Sequence, residues 1–439
     1  VEALMTRRII FLGGFALLLL LPARMLGQPR GTAVELRVGA AKVDITPEFP
    51  VGLAGYSNAD RRISEGVHDR LYARAVAFRK GAKKLVLVSC DLSGFAYVPI
   101  SYFRRDLLAR FDLKPGELLL CGTHTHSAPM LVLNRAYPHP NNYAYTEGLK
   151  AKLLEAVSKA INSAAPALLG AGVGQSAVAV NRRLPLPRDQ AASGAAKVTM
   201  GRNPDGPVDR DVLVLKAVRP GGGPVAALFS YACHARSLRA ANRLVSGDIF
   251  GIAEQFTEDM LGPNVVTPGF AGASGDIDPW YVVDEFTREP GRIPETVLMG
   301  NLLGAEVVRV FRSVTDPAAG GEIETRWEHL ALPGKAAGTP SPGARAPAKY
   351  LEMTAARVGE FAFFAVDCEA LVEIGKAIRK QSPFRYTFNL TSCNGGSGYL
   401  PPAHLYAERG YEVDLSGFAA EAAGMVVTSA LKMLSSLGR

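Results

Sequence analysis

Histidine is scarce in this chain, seven residues in 439, and two of the seven stand two apart in the stretch CGTHTHSAP (121–129). In an extended segment residues i and i+2 point to the same side, so His124 and His126 face one pocket. A third histidine, His234, directly follows the apolar run PVAALFSYAC (224–233). Carboxylates end or follow other such runs: Asp276 closes VVTPGFAGASGD (265–276), Asp278 stands two residues on, and Glu369 follows EFAFFAVDC (360–368). Imidazoles from two loops and a carboxylate, with room left for water, are the ligand chemistry of a mononuclear catalytic Zn2+. No compact HExxH fixes these ligands by spacing, so they act together only if distant loops meet. Tyr399, in the glycine-rich loop after RYTFNLTSC (385–393), joins the same candidate crevice.

Plainer readings stand beside these. His234 alone fits a buried core histidine. Asp276 and Asp278 lie in Gly-Asp and Asp-Pro pairs, which shape turns. Glu373 competes with Glu369, although Glu369 follows its apolar run directly while Glu373 belongs to a helical pattern. Tyr399 serves equally as a ligand or a wall residue. Asp248 fits a helix N-cap before Ile249. His68, His139, His329 and His404 are read as surface or structural residues.

The elements that must position these groups are legible as an alternation. LVLVSC (85–90), ELLLC (117–121), 224–233, 265–276, 360–368 and 385–393 are apolar and rich in β-branched or aromatic residues, as strands buried on both faces are. Between them run helical periods: Leu149, Leu153, Val157 and Ile161; Leu303, Val307 and Phe311; Phe418, Met425 and Leu434. The fold class is therefore α/β, a single large domain with a mostly buried mixed sheet flanked by helices. Polar loops after the C-terminal ends of buried strands converge on one crevice in such folds. PGKAAGTPSPGARAPAKY (333–350) reads as a flexible connection, and no internal repeat is evident.

Composition narrows the class further. Apolar residues make up 48% and charged residues 21%, a globular balance. The formal charge of +8 is spread along the chain without a nucleic-acid-binding motif, so no nucleic-acid partner is expected; peripheral contact with an anionic membrane surface stays open. Five cysteines, Cys90, Cys121, Cys233, Cys368 and Cys393, form no CxxC pair, and each ends an apolar run, which suggests small buried residues under a pocket floor. Residues 1–27, with basic residues ahead of IIFLGGFALLLLLP, have the form of a signal peptide or N-terminal anchor, so the body is expected to work outside the cytoplasm, periplasmic, secreted or anchored.

Several stretches together resemble the catalytic domain of the neutral ceramidase family, in the family's order: KVDITP (42–47), GLAGY (52–56), GVHDRLYARAVAF (66–78), GTHTHSAP (122–129), NRR (181–183), SYACHARS (230–237), LVSGD (244–248), GASGDIDP (272–279), CEALVEIG (368–375) and NGGSGYLPP (394–402). The resemblance covers most of residues 36–435. It implies a zinc-dependent amidohydrolase acting on an N-acyl lipid or related N-acyl compound through a metal-activated water. It implies His124, His234, Glu369 and Tyr399 as zinc ligands, and His126 and Arg182 in the substrate pocket. The family's GDxSP serine is replaced here by Asp278, which when ionised only accepts hydrogen bonds; it is read as a general base or an orienting group, with Asp276 beside it. After the last helical pattern no counterpart of the family's C-terminal β-sandwich is expected. Two alternatives follow from the missing serine: a zinc hydrolase of a different cell-envelope amide or ester, or a ligand-binding member without hydrolytic activity.

Overall fold

The computed structural model describes residues 35–96, 98–187, 196–282, 293–335 and 346–438. The apolar leader and residues 336–345 of the Pro/Gly/Ala-rich segment lie outside them. That segment links two antiparallel neighbours, the strands Ile323–Leu332 and Lys349–Val358, so it is a hairpin connection and not a domain break.

Three sheets carry the fold, and each repeats one plan. In the first, Arg37–Asp44, Tyr72–Lys80 and Lys83–Cys90 run antiparallel in turn; the helix Ser101–Phe111 crosses over, and Leu118–Gly122 pairs in parallel with the third strand. The second repeats this with Leu168–Gln175, Asp211–Val218 and Pro224–Tyr231, the helix Asp248–Leu261, and parallel Gly269–Ala271. The third uses Ile323–Leu332, Lys349–Val358 and Phe361–Val366, the helix Val372–Gln381, and parallel Tyr386–Leu390. A closing helix follows each: Pro140–Asn162, Pro294–Ser313 and Ala422–Ser435. The molecule is thus α/β as expected, but its sheet is divided, and it does hold an internal repeat. The repeat is one of topology; the motifs at equivalent positions differ.

Packing explains why these strands are apolar throughout. One face of each sheet meets in a shared core that includes Val76, Phe78, Leu87, Leu213, Leu215, Leu228, Phe363, Phe388 and Leu390. The opposite faces are covered by helices: Leu149, Leu153 and Val157 on the first sheet, Ile249, Phe250, Leu303 and Val307 on the second, Ile374, Ile378, Val426 and Leu434 on the third. A strand pressed from both sides cannot alternate polar and apolar residues; Phe361–Val366 and Leu118–Gly122 are buried along their whole length. The helix Pro140–Asn162 opens with proline at its first turn, where a missing N–H costs nothing, and His139 Nδ1 accepts from Asn141 N at 3.3 Å. No helix among the described residues is long and apolar enough to cross a membrane.

Two sequence expectations shift in detail. The run 265–276 is strand only over Gly269–Ala271, because the chain then turns against its neighbours: a Cβ on Gly275 would lie 2.7 Å from the Glu369 carbonyl oxygen. Phe418 precedes the last helix and bridges to Gly334 instead of continuing the helical face.

Candidate metal centre

The ends of the three third strands, or of their parallel partners, deliver the polar groups to one place. His124 lies two residues beyond Leu118–Gly122, His234 shortly after Pro224–Tyr231, and Glu369 shortly after Phe361–Val366. Short backbone links lock the loops together. Thr125 bridges Ala235, and His126 N donates to Ala235 O at 3.0 Å. His234 N donates to Ile277 O at 3.0 Å, and Gly275 N to Ala370 O at 3.0 Å. Glu369 and Tyr399 are direct partners in a two-stranded parallel ladder, which sets their side chains side by side. His124 itself adopts a left-handed backbone, φ 65°, a conformation costly for a non-glycine residue and common at functional sites.

The imidazoles are aimed. His124 Nδ1 is 2.9 Å from Ser93 O and His234 Nδ1 is 2.7 Å from Ser274 O, so both rings donate there and turn Nε2 inward. Each Nε2 lies 3.3 Å from Glu369 Oε2. Bonds of about 2.0–2.1 Å to a tetrahedral zinc place ligand atoms roughly 3.3 Å apart, the distance each imidazole keeps from Glu369 Oε2. His234 Nε2 and Glu369 Oε2 are buried without a hydrogen-bond partner, the state expected of atoms that a cation satisfies. The three histidines together hold ligand nitrogens within 4.8 Å of one another. The Nδ1 atoms of His124 and His234 rest on backbone carbonyls, the outer contact that metal-ligating histidines use.

Electrostatics agrees with a cation here. Burial and then Arg182 push His234 down to about 4, keeping it neutral and able to ligate. Burial also works against a charged His124, yet the Glu369 carboxylate outweighs it and raises that pKa. Burial alone would raise Glu369, but His124 and His234 hold it well below the usual carboxylate range.

His126 stands apart in role. Burial, then the neighbouring His124 and His234, keep it neutral. Its ring is 5.2 Å from that of His124 and 5.0 Å from that of Tyr56, and neither ring nitrogen has a partner. Gly55, at φ +93°, makes this possible: a Cβ there would sit 2.3 Å from His126 Cγ. Arg62, 1% exposed, clamps the segment from below, donating to Ala54 O at 2.8 Å and His126 O at 3.0 Å.

A second shell of charge lies alongside. Arg182, 1% exposed and not solvated, donates through Nε to Glu412 at 2.8 Å, through Nη1 to Asp278 at 3.2 Å and through Nη2 to Tyr399 Oη at 3.2 Å. Asp278 is held on its other side by Arg236 Nη2 at 3.0 Å. Burial would raise its pKa, but Arg182 and Arg236 lower it. Burial and the Glu369 charge raise Tyr399 well above the ordinary phenol.

Asp276 is the correction among the candidate catalytic residues. Its Oδ1 accepts from Val372 N at 2.8 Å and its Oδ2 from Asn181 Nδ2 at 3.0 Å. The carboxylate anchors the start of the helix Val372–Gln381 and is spent on structure. Glu373, the rival of Glu369, faces His404 at 3.4 Å instead. Asp248 lies within the first turn and ties back to Ser237 and Leu238, fixing the loop that carries His234 and Arg236. The five cysteines are buried and free. Sequence reasoning passed over Arg236, two residues after His234; Tyr56, inside the quoted GLAGY; and Arg62 and Glu412, which carry no local signal. A cavity of about 740 Å³ between Ile45, Phe49, Tyr145 and Lys152 is lined by none of the candidate residues.

This α/β scaffold gathers two aimed imidazoles and a carboxylate at strand ends, a donor set of the kind that zinc sites use. Comparison with known proteins places it more narrowly. The family model "Neutral/alkaline non-lysosomal ceramidase, N-terminal" matches residues 36–279, more than half of the chain. The neutral ceramidase of Pseudomonas aeruginosa is 28% identical over 283 residues, covering 60% of this chain and 39% of that protein. Neutral ceramidase B of Dictyostelium discoideum is 28% identical over 259 residues, 55% of this chain and 35% of its own. The crystal structure of the Pseudomonas aeruginosa enzyme superposes with a TM-score of 0.73 at 19% identity, over 92% of this chain and 74% of that one. The chain belongs to the neutral/alkaline non-lysosomal ceramidase family. It matches about a third of the length of the curated relatives.

Proposed function

We propose that the protein is a zinc-dependent hydrolase that cleaves the amide bond of an N-acyl compound outside the cytoplasm. The supporting observation is the meeting of His124 Nε2 and His234 Nε2 on Glu369 Oε2, each at 3.3 Å, with the buried facing atoms of His234 and Glu369 making no hydrogen bond. Two imidazoles and one carboxylate are a zinc donor set, with one position left for water. A zinc ion held there supplies Lewis acidity, polarising the amide carbonyl and lowering the pKa of water to about 7.

The remaining steps belong to side chains of this chain. Tyr399 accepts from Arg182 and keeps its own proton, so its hydroxyl donates to the carbonyl oxygen as negative charge grows there. Neutral His126, with both nitrogens unspent, takes the proton from the attacking water and delivers it to the amine nitrogen as the C–N bond breaks. Asp278, spent on two guanidiniums and lowered in pKa, is a poor base; it positions Arg182 and Arg236. His124, His234 and Glu369 hold the ion.

The test is amine release from N-dodecanoyl amides by the purified protein, before and after chelation and after zinc is restored. Chelation should abolish turnover and zinc return it. Undiminished hydrolysis by metal-free protein overturns the proposal.

A further inference from the structure

Beside the histidine cluster lies a cavity of about 460 Å³ whose lining includes Tyr56, Met200, Arg202, Arg236, Asp278 and Trp280. It adjoins the cluster directly, since the Tyr56 ring is 5.0 Å from the His126 ring and Arg236 follows His234 by two residues. Its lining is unusual in charge. Asp278, the one carboxylate among the described residues of the lining, is answered twice, by Arg236 at 3.0 Å and by Arg182 at 3.2 Å. Arg202 has no carboxylate partner among the described residues; its guanidinium lies over the rings of Trp280 and Tyr281, 5.6 and 6.0 Å from their centroids. Arg236 is only 8% exposed, and its Nε has no hydrogen-bond partner.

Among the described residues of the lining, Arg202, Arg236 and Arg239 stand against the single carboxylate of Asp278; Arg236 is held by Asp278 and Arg239 has an interaction of its own, which leaves the Arg202 charge without a counter-ion there. An uncharged headgroup would leave that charge unanswered beside apolar walls. An anion would meet guanidiniums in charge-assisted hydrogen bonds, about twice as strong as neutral ones.

We propose that the amine half of the substrate carries an anionic group, a carboxylate or a phosphate ester, received by Arg202 and Arg236 in this cavity. This deepens the assignment above and rests on the histidine cluster being an amide-hydrolase site. The replacement of the family serine by Asp278 fits with it: the added carboxylate fixes Arg236 at the cavity wall.

The experiment compares N-dodecanoylglycine, N-dodecanoyl-O-phosphoethanolamine and uncharged N-dodecanoylethanolamine, by calorimetric binding and by amine release, on the metal-loaded protein. At least one anionic compound should bind tenfold or more tightly than the ethanolamide, and the stronger of the two identifies the anion. Arg202→Gln, an exposed change on the strand Val198–Asn203, should bring the ratio to within twofold, and salt should shrink it in the parent protein. Equal binding of all three, or a preference that survives Arg202→Gln, overturns the inference even if amides are cleaved. An Arg202-dependent preference without cleavage of any amide upholds the anion pocket and overturns the hydrolase assignment.

Discussion

His126 keeps two unspent ring nitrogens in a buried place, and the role proposed for it is proton transfer. His126→Ala should therefore lower kcat by about 10²–10⁴ while elemental analysis still finds one metal per chain; loss of the metal would make it a ligand instead. Asp276 belongs to the same scale but to stability. Burial raises its pKa from 3.8 to about 6 in the folded protein. A raised carboxyl stabilises the fold fully below its unfolded pKa and loses that contribution as pH rises through about 6. Asp276→Asn should remove this loss, so unfolding measured at pH 5 and pH 8 should differ less in the variant than in the parent, by roughly 1.4 kcal/mol. Histidines and late-strand carboxylates were visible in sequence because their residue types announce chemistry. Arg236, Arg62 and Glu412 were not, since an arginine is as common on a solvated face as under a site, and only the fold reveals which carbonyls and carboxylates it meets.

Among the elements, loops and not strands carry the precision. The strands were readable from apolar runs, because burial between sheet and helix forces that composition. The loops are set by close approaches that no periodicity encodes. Gly55 is the sharpest case: its φ of +93° and the 2.3 Å from a hypothetical Cβ to His126 Cγ leave no space for a side chain. Gly55→Ala should displace His126, cost about 1–2 kcal/mol from the left-handed backbone, and cut turnover at least tenfold with the metal retained. Full activity in that variant would show that the ring position does not matter. The same logic explains why 265–276 is strand for three residues only: the chain must turn beneath Glu369, and Gly275 is where it passes.

Three topologically equivalent units each end a strand at the centre, and one proposed ligand comes from each: His124, His234 and Glu369. The repeat was invisible in sequence because equivalent positions share a pattern of strand, crossover helix and strand, not residues. A shared ion is then a cross-link between units. Metal at a hundredfold excess over its dissociation constant adds about 2.7 kcal/mol to stability, so chelation should lower Tm by a few degrees, and His234→Ala should be insensitive to chelator. A Tm unmoved by chelation of the parent protein would mean that the units hold together without it.

The most direct measurement is anomalous diffraction at the zinc absorption edge from crystals of the purified protein. One peak is expected, about 2.0–2.2 Å from His124 Nε2, His234 Nε2 and a Glu369 carboxylate oxygen. A metal-bearing, amide-cleaving crystal whose peak lies elsewhere, or one that cleaves amides with no peak at all, would contradict the site.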